Sequence, residues 1–202
     1  MLIIGIVLAT IIAFIPFTLS FFKIGSKFGR PVGGMASSGG SSKYPVYIED
    51  EVMNQKAHGT CEKPVMRDLR WNCDYETADR ISCFNRHYAE HSGYWETTKF
   101  LEEVNKEDET TFYDSVTGKP LFIAPRGRTF EQFKAESIAH GWPSFRDQEV
   151  VWENTRCLKN GETVSIDGTH LGHNLPDRKG NRYCINLVSV AGRPQSDTPS
   201  PK

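Results

Sequence analysis

The chain has 202 residues and a formal net charge of −1. A near-neutral balance with no basic stripe carrying interleaved aromatics argues against a nucleic-acid surface. The length suits one domain plus an extension, and no internal repeat, phosphate-binding glycine loop or asparagine glycosylation triplet is present.

Residues 2–22 carry no charge and are dominated by Ile, Leu, Phe, Val and Ala. Such a run is long enough to cross roughly 30 Å of hydrocarbon as a helix, and Pro16 kinks a span without excluding it. No basic stretch precedes the run, and Lys23, Lys27 and Arg30 follow it. These features favour a single-pass anchor over residues 1–23, with the soluble part on the cytosolic, reducing side of a membrane that the sequence does not name. Residues 24–43, with a Gly/Ser-rich stretch at 33–42, read as a flexible linker.

Residues 44–99 form an unassigned, partly helical extension holding Cys61, Cys73 and Cys83, with His87 and His91 at helical spacing. The spacings match no familiar zinc pattern. A disulfide suits these cysteines in an oxidising compartment, and a thiol-exchange role for one of them is a third reading.

Residues 100–192 alternate short strand-like segments with turns. The strand-like stretches are 111–113, 150–152, 163–166 and 183–190, with Asn160-Gly161 a hairpin turn between the second and third. Residues 128–136 read as a helix capped by Thr129. This periodicity predicts a small, mainly β, antiparallel domain with one or two helices. Residues 193–202, with three prolines, read as a disordered tail.

The chemistry concentrates near the end. Thr169-His170-Leu171-Gly172-His173 is followed by Arg182-Tyr183-Cys184-Ile185-Asn186. A thiol attacks as its thiolate, which positive and hydrogen-bond-donating neighbours favour, so Cys184 is the candidate nucleophile. Taken alone, Cys184 reads equally well as a small buried hydrophobe. His170 and His173 read as a loop pair or metal ligands, and Trp142 as a buried aromatic.

A second block, Gly141-Trp142-Pro143-Ser144-Phe145, and a third, residues 112–122 (FYDSVTGKPLF), stand upstream in the same order. Together the blocks resemble the methionine-R-sulfoxide reductases of the B type, over about residues 112–190. The resemblance implies a two-sheet antiparallel β fold with an open active site, and a cysteine that is left as a sulfenic acid after removing the sulfoxide oxygen. It assigns Cys184 as nucleophile and His170 and His173 to the sulfoxide oxygen and its proton. Trp142 would pack on the substrate methyl group, with Phe145 beside it in the substrate-binding block. Arg182 and Asn186 would surround the thiolate and sulfoxide, and Asp177 would orient a histidine or the arginine. The partners implied are oxidised methionine, free or in proteins, and a thioredoxin-like dithiol.

Many B-type members hold a structural zinc with two CxxC pairs. This chain has Asp114, Thr117, Val164 and Asp167 at those places and so resembles the zinc-free branch, with no cofactor or metal expected. The usual resolving cysteine is replaced by His140, and Leu175 stands at a commonly aromatic position. Cys157, and Cys83 from the extension, are the candidate resolving thiols. The leading expectation is therefore thiol-dependent reduction of methionine-R-sulfoxide at a membrane surface. The alternatives are a non-catalytic, reductase-like subunit of a membrane complex and a metal-binding module built on the extension.

Overall fold

The computed structural model describes residues 43–195. The expected anchor, nearly all of the linker and most of the tail lie outside these residues. Among the described residues no helix is long and apolar enough to cross a membrane.

Seven strands form two antiparallel sheets. Strands β1 (Thr110–Tyr113) and β2 (Pro120–Ala124) make a hairpin. Strands β3 (Ser144–Phe145), β4 (Thr155–Cys157), β5 (Glu162–Ser165), β6 (His170–Asn174) and β7 (Tyr183–Ile185) form the second sheet, ordered β3-β7-β6-β5-β4. The mainly β, two-sheet expectation therefore holds in outline.

Three boundaries differ from the sequence reading. Residues 150–152 do not form the strand that pairs across Asn160-Gly161. Val150 makes an isolated bridge to Phe122, a turn follows, and the hairpin partner of β5 is β4. Strand β7 stops at Ile185, where a 3₁₀ turn, Leu187–Ser189, takes over. The predicted helix starts where expected but runs on to His140.

In the extension, short helices α1 (Tyr75–Asp79) and α2 (Tyr94–Thr97) are linked by irregular chain, and α3 (Phe100–Glu103) follows the extension directly. Asp74 caps α1 by accepting from Thr77 N at 2.8 Å, and a π-helical turn, Arg80–Phe84, continues it. The long helix, α4 (Phe130–His140), begins at a reciprocal cap: Thr129 Oγ1 accepts from Gln132 N and Gln132 Oε1 accepts from Thr129 N. It ends at Gly141, whose φ of 86° is left-handed and admits glycine best. A Cβ there would also lie 2.0 Å from Ser92 Oγ.

The extension is not a separate body. Val65, Leu69, Trp71, Ile81 and Trp95 share one buried cluster with Phe100, Phe112, Phe122, Phe133, Phe145 and Ile185. Trp71 bridges the two parts, its ring edge-on to Phe100 and tilted on Phe112.

Candidate active site

The register of the larger sheet aligns four side chains across one face. Ser144 on β3 pairs with Cys184 on β7, Cys184 with His173 on β6, and His173 with Glu162 on β5. Directly opposed residues of an antiparallel sheet project to the same face, so these four form a continuous row. Tyr183 and Ile185 alternate to the other face and are fully buried.

Strand alternation alone would put His170 and His173 on opposite faces. The ladder prevents this. Glu162, Thr163 and Val164 pair with His173, Gly172 and His170, so Leu171 is an extra residue in β6. This β-bulge brings both histidines to the face of Glu162 and Val164. Gly172 lies so close to β7 that a Cβ on it would be 2.1 Å from Cys184 O. The glycine between the histidines is thus a packing requirement of the strand that carries Cys184.

Over this row lies a cleft of about 490 Å³ lined by Trp142, His170, His173, Arg182, Cys184 and Asn186, with His87, Tyr88, His140 and Leu175 at its wall and rim. Arg182 Nη1 donates to Cys184 Sγ, and Ser144 Oγ lies 3.8 Å from the same sulfur. His170 Nδ1 lies 2.8 Å from Glu162 Oε1. Arg86, from the extension, donates to both oxygens of Glu162 and to Asp50. Burial pushes the Glu162 carboxyl up, but the hydrogen bonds from His170 and Arg86 outweigh it and hold the group below the usual glutamate value. An ionised Glu162 accepts from Nδ1–H and so holds the His170 ring in place, with Nε2 left for a substrate. Burial, reinforced by His170 and His87, lowers His173 below the ordinary histidine value. Its ring centroid is 5.7 Å from that of His170.

Trp142 donates from Nε1 to Glu90 O at 3.0 Å. Asn186 is buried and fully engaged in bracing: Nδ2 donates to Leu171 O, and Oδ1 accepts from Glu90 N. Six sequence-chosen residues, Cys184, His170, His173, Arg182, Asn186 and Trp142, therefore meet in one cleft.

Three others do not play the part expected of them, and Asp177 plays only the arginine half of its part. Phe145 is a core residue, stacked on Phe122 at 4.3 Å and edge-on to Phe112 at 5.0 Å. Alternation along β3 turns it away from the cleft that Ser144 faces. Asp177 touches no histidine. It takes an ion pair from Arg146 at 2.8 Å and approaches Arg182 Nε at 3.5 Å, and the Arg146 hydrogen bond holds its carboxyl well below the usual aspartate value. The carboxylate that orients a histidine is Glu162.

Cys157 pairs with Thr163, on the opposite face of the sheet from Glu162. It is also three strands from Cys184, about 14 Å at ordinary strand spacing. It is fully buried, which pushes its thiol up to about 11. Cys83 is bonded to Cys61, both sulfurs being buried. Neither residue is placed to resolve an oxidised Cys184.

At two of the places considered for a metal, the side chains are otherwise engaged. Asp114 is buried and takes hydrogen bonds from Thr169 Oγ1, Val116 N and Thr117 N. Val164 offers no ligand atom, and Asp167 pairs with Lys119 at 2.9 Å. These residues do not fit a tetrahedral thiolate zinc site. In the extension, His58, Asp79 and Cys83 lie close together, but the Cys83 sulfur is committed to its disulfide and His58 to an ion pair with Asp79 at 2.8 Å.

Sequence reasoning missed Glu162, Arg86 and Glu90. Period-two alternation offered a signal for Glu162 alone, as the position two before Val164.

No family model and no solved structure matches the chain. Among curated proteins, the chain is 40% identical over 68 residues to a peptide methionine sulfoxide reductase MsrB of Methanosarcina mazei, covering 29% of this chain and 49% of that protein. It is 33% identical over 100 residues to the protein of the same name from Staphylococcus haemolyticus, covering 44% of this chain and 65% of the relative. The chain thus spans between about half and two thirds of the length of these relatives. This partial similarity supports a reductase of the methionine sulfoxide class.

Proposed function

We propose that the protein reduces methionine-R-sulfoxide, free or within polypeptides, to methionine through Cys184. The observation that carries this reading is the row Ser144–Cys184–His173–Glu162 beneath a cleft that also presents His170, Arg182 and Trp142.

The Cys184 thiolate, with Arg182 donating to its sulfur, attacks the sulfoxide sulfur. A proton from the histidine pair, with His170 held by Glu162, turns the oxygen into a hydroxyl, which leaves the substrate sulfur and is taken up by the Cys184 sulfur as the new S–S bond breaks. The sulfoxide sulfur is reduced to a thioether and Cys184 is oxidised to a sulfenic acid, so one oxygen atom moves from substrate to enzyme. Trp142 supplies an aromatic face for the methyl group.

Regeneration consumes two external thiol equivalents. The first condenses with the sulfenic acid, releasing water, and the second reduces the mixed disulfide. This reading draws both thiols from an external donor, since Cys157 faces away, Cys83 is bonded to Cys61 and Cys73 is buried. A thioredoxin-like dithiol is the reductant this reading favours.

The anchor expected over residues 1–23 would hold the site at a membrane. The buried Cys61–Cys83 disulfide supports placing the domain in an oxidising compartment. That is the opposite side from the one expected from Lys23, Lys27 and Arg30.

The test is turnover of the separate R and S epimers of a blocked methionine sulfoxide by the full-length protein with dithiothreitol. Reduction of R alone is expected. A folded protein that reduces neither epimer would remove the proposal.

A further inference from the structure

Glu90 takes no direct part in that chemistry. It lies in residues 85–93, which form neither helix nor strand, yet it is only 3% exposed. Among the described residues no cation is paired with its carboxylate. The oxygens accept instead from the backbone, Leu187 N at 2.9 Å and Val188 N at 3.2 Å. Burial pushes the carboxyl up to about 8 against the pull of those two donors. Keeping an unpaired carboxyl in the interior is costly, and a well-packed apolar residue would hold a wall more cheaply.

The backbone of Glu90 makes two more links. Its N–H donates to Asn186 Oδ1 at 3.0 Å, and its carbonyl accepts from Trp142 Nε1 at 3.0 Å. Three residues on, Gly93 N donates to Gly141 O at 2.8 Å, and Ser92 fills the space beside Gly141 that a side chain would need. The indole of Trp142 and the turn that carries it are thus both gripped by residues 90–93. An indole ring with one fixed hydrogen bond presents one face in one orientation.

We infer that Glu90 is a positioning residue of the site: its buried carboxyl group clamps the Leu187–Ser189 turn, and its backbone thereby fixes the Trp142 ring and the Asn186 side chain relative to Cys184. The inference rests on the proposed reductase reading and adds the device that sets epimer selectivity. A residue far from the nucleophile in sequence thus acts on the substrate through Trp142.

The experiment compares full-length wild type, Glu90→Gln, Glu90→Ala and Trp142→Phe on both epimers of a blocked methionine sulfoxide with dithiothreitol. Turnover of the R epimer by wild type establishes the functional reading first, so failure there is distinct from failure of this inference. Glu90→Ala is expected to raise KM and lower the R-to-S ratio of kcat/KM, each about tenfold, the scale of a small misplacement at a reacting centre. Glu90→Gln, which keeps one acceptor oxygen, is expected to restore part of both. Trp142→Phe keeps a ring but loses the Nε1 donor, and is expected to reproduce the drop in ratio, with the Glu90→Ala/Trp142→Phe double variant no worse than either single one. A folded Glu90→Ala with a lower melting point but unchanged KM and epimer ratio would overturn the inference. Where Glu90→Ala does not fold, Trp142→Phe decides, and an unchanged epimer ratio in that variant overturns it.

Discussion

Residues 110–192 place their reactive side chains by strand register, whereas residues 43–99 act on the same site through a disulfide, one arginine and backbone hydrogen bonds. In the sheet, a single bulge at Leu171 suffices to put both histidines beside Cys184. In the extension no repeating geometry is available. Arg86 reaches Glu162, and Glu90 reaches Trp142, Asn186 and the Leu187–Ser189 turn, each from an irregular stretch just after Cys83. In the proposed reading the sheet supplies the chemistry, and the extension supplies the constraint on where its parts stand.

The sharpest way to break this division is within the sheet. Cys184→Ser is expected to abolish reduction of the R epimer while leaving the fold intact, read by turnover and circular dichroism. Next is the junction between the two regions. Glu162→Gln removes the charge that fixes His170 and receives Arg86, so kcat is expected to fall about a hundredfold, the scale of a lost general acid. A steady-state rate within a factor of two of wild type would detach Glu162 from the chemistry.

The extension is tested by its disulfide. Replacing Cys61 and Cys83 by serine opens a loop with a sequence separation of 22, and is expected to cost about 3 kcal/mol of stability, read from denaturant midpoints. Activity should fall with it, because the wall from Arg86 to Glu90 is tethered there.

A smaller effect concerns pH. Folding raises the Glu90 carboxyl from 4.5 to about 8, so the folded state holds that proton more tightly than the unfolded one. The stability this contributes is complete below about pH 4.5 and is lost as pH rises through about 8. Its titratable neighbours, Cys73 and Tyr94, are both pushed upward by burial, Tyr94 to about 12, and stay protonated through this window. Across it, wild type should lose stability relative to Glu90→Gln, measured as the difference in unfolding midpoint against pH. The smallest effect is expected from Cys157→Ser, with recycling by a dithiol unchanged, since that thiol faces away from the cleft. Slowed recycling would show that the sheet register described here is wrong.

The limits of the sequence follow the same division. That Cys184, His170, His173, Arg182 and Trp142 share one cleft was legible because each sits in a compact motif of reactive or aromatic residue types. Phe145 was misread because a motif does not say which of two adjacent strand residues faces the ligand. Cys157 was misread because nearness in sequence hid the fact that β4 and β7 lie three strands apart and that the two thiols occupy opposite faces. Alternation hinted at Glu162, but its contact with His170 required knowledge of the bulge. Glu90 was invisible for a different reason: its partners lie 52 and 96 residues away and meet its backbone, which carries no sequence signal. The mainly β architecture followed from turns and alternation, whereas the merging of the extension into the same core depended on Trp71 meeting Phe100 and Phe112 across the fold.

The central claim is that Cys184 itself takes the oxygen. Its most direct test is a single turnover of full-length protein with methionine-R-sulfoxide and no reductant, followed by mass analysis of the Cys184 peptide trapped with a sulfenic-acid reagent. One equivalent of methionine per protein, with trapped sulfenic acid confined to Cys184, is the predicted result. Methionine formed without modification of Cys184, or no methionine from folded protein, would contradict it.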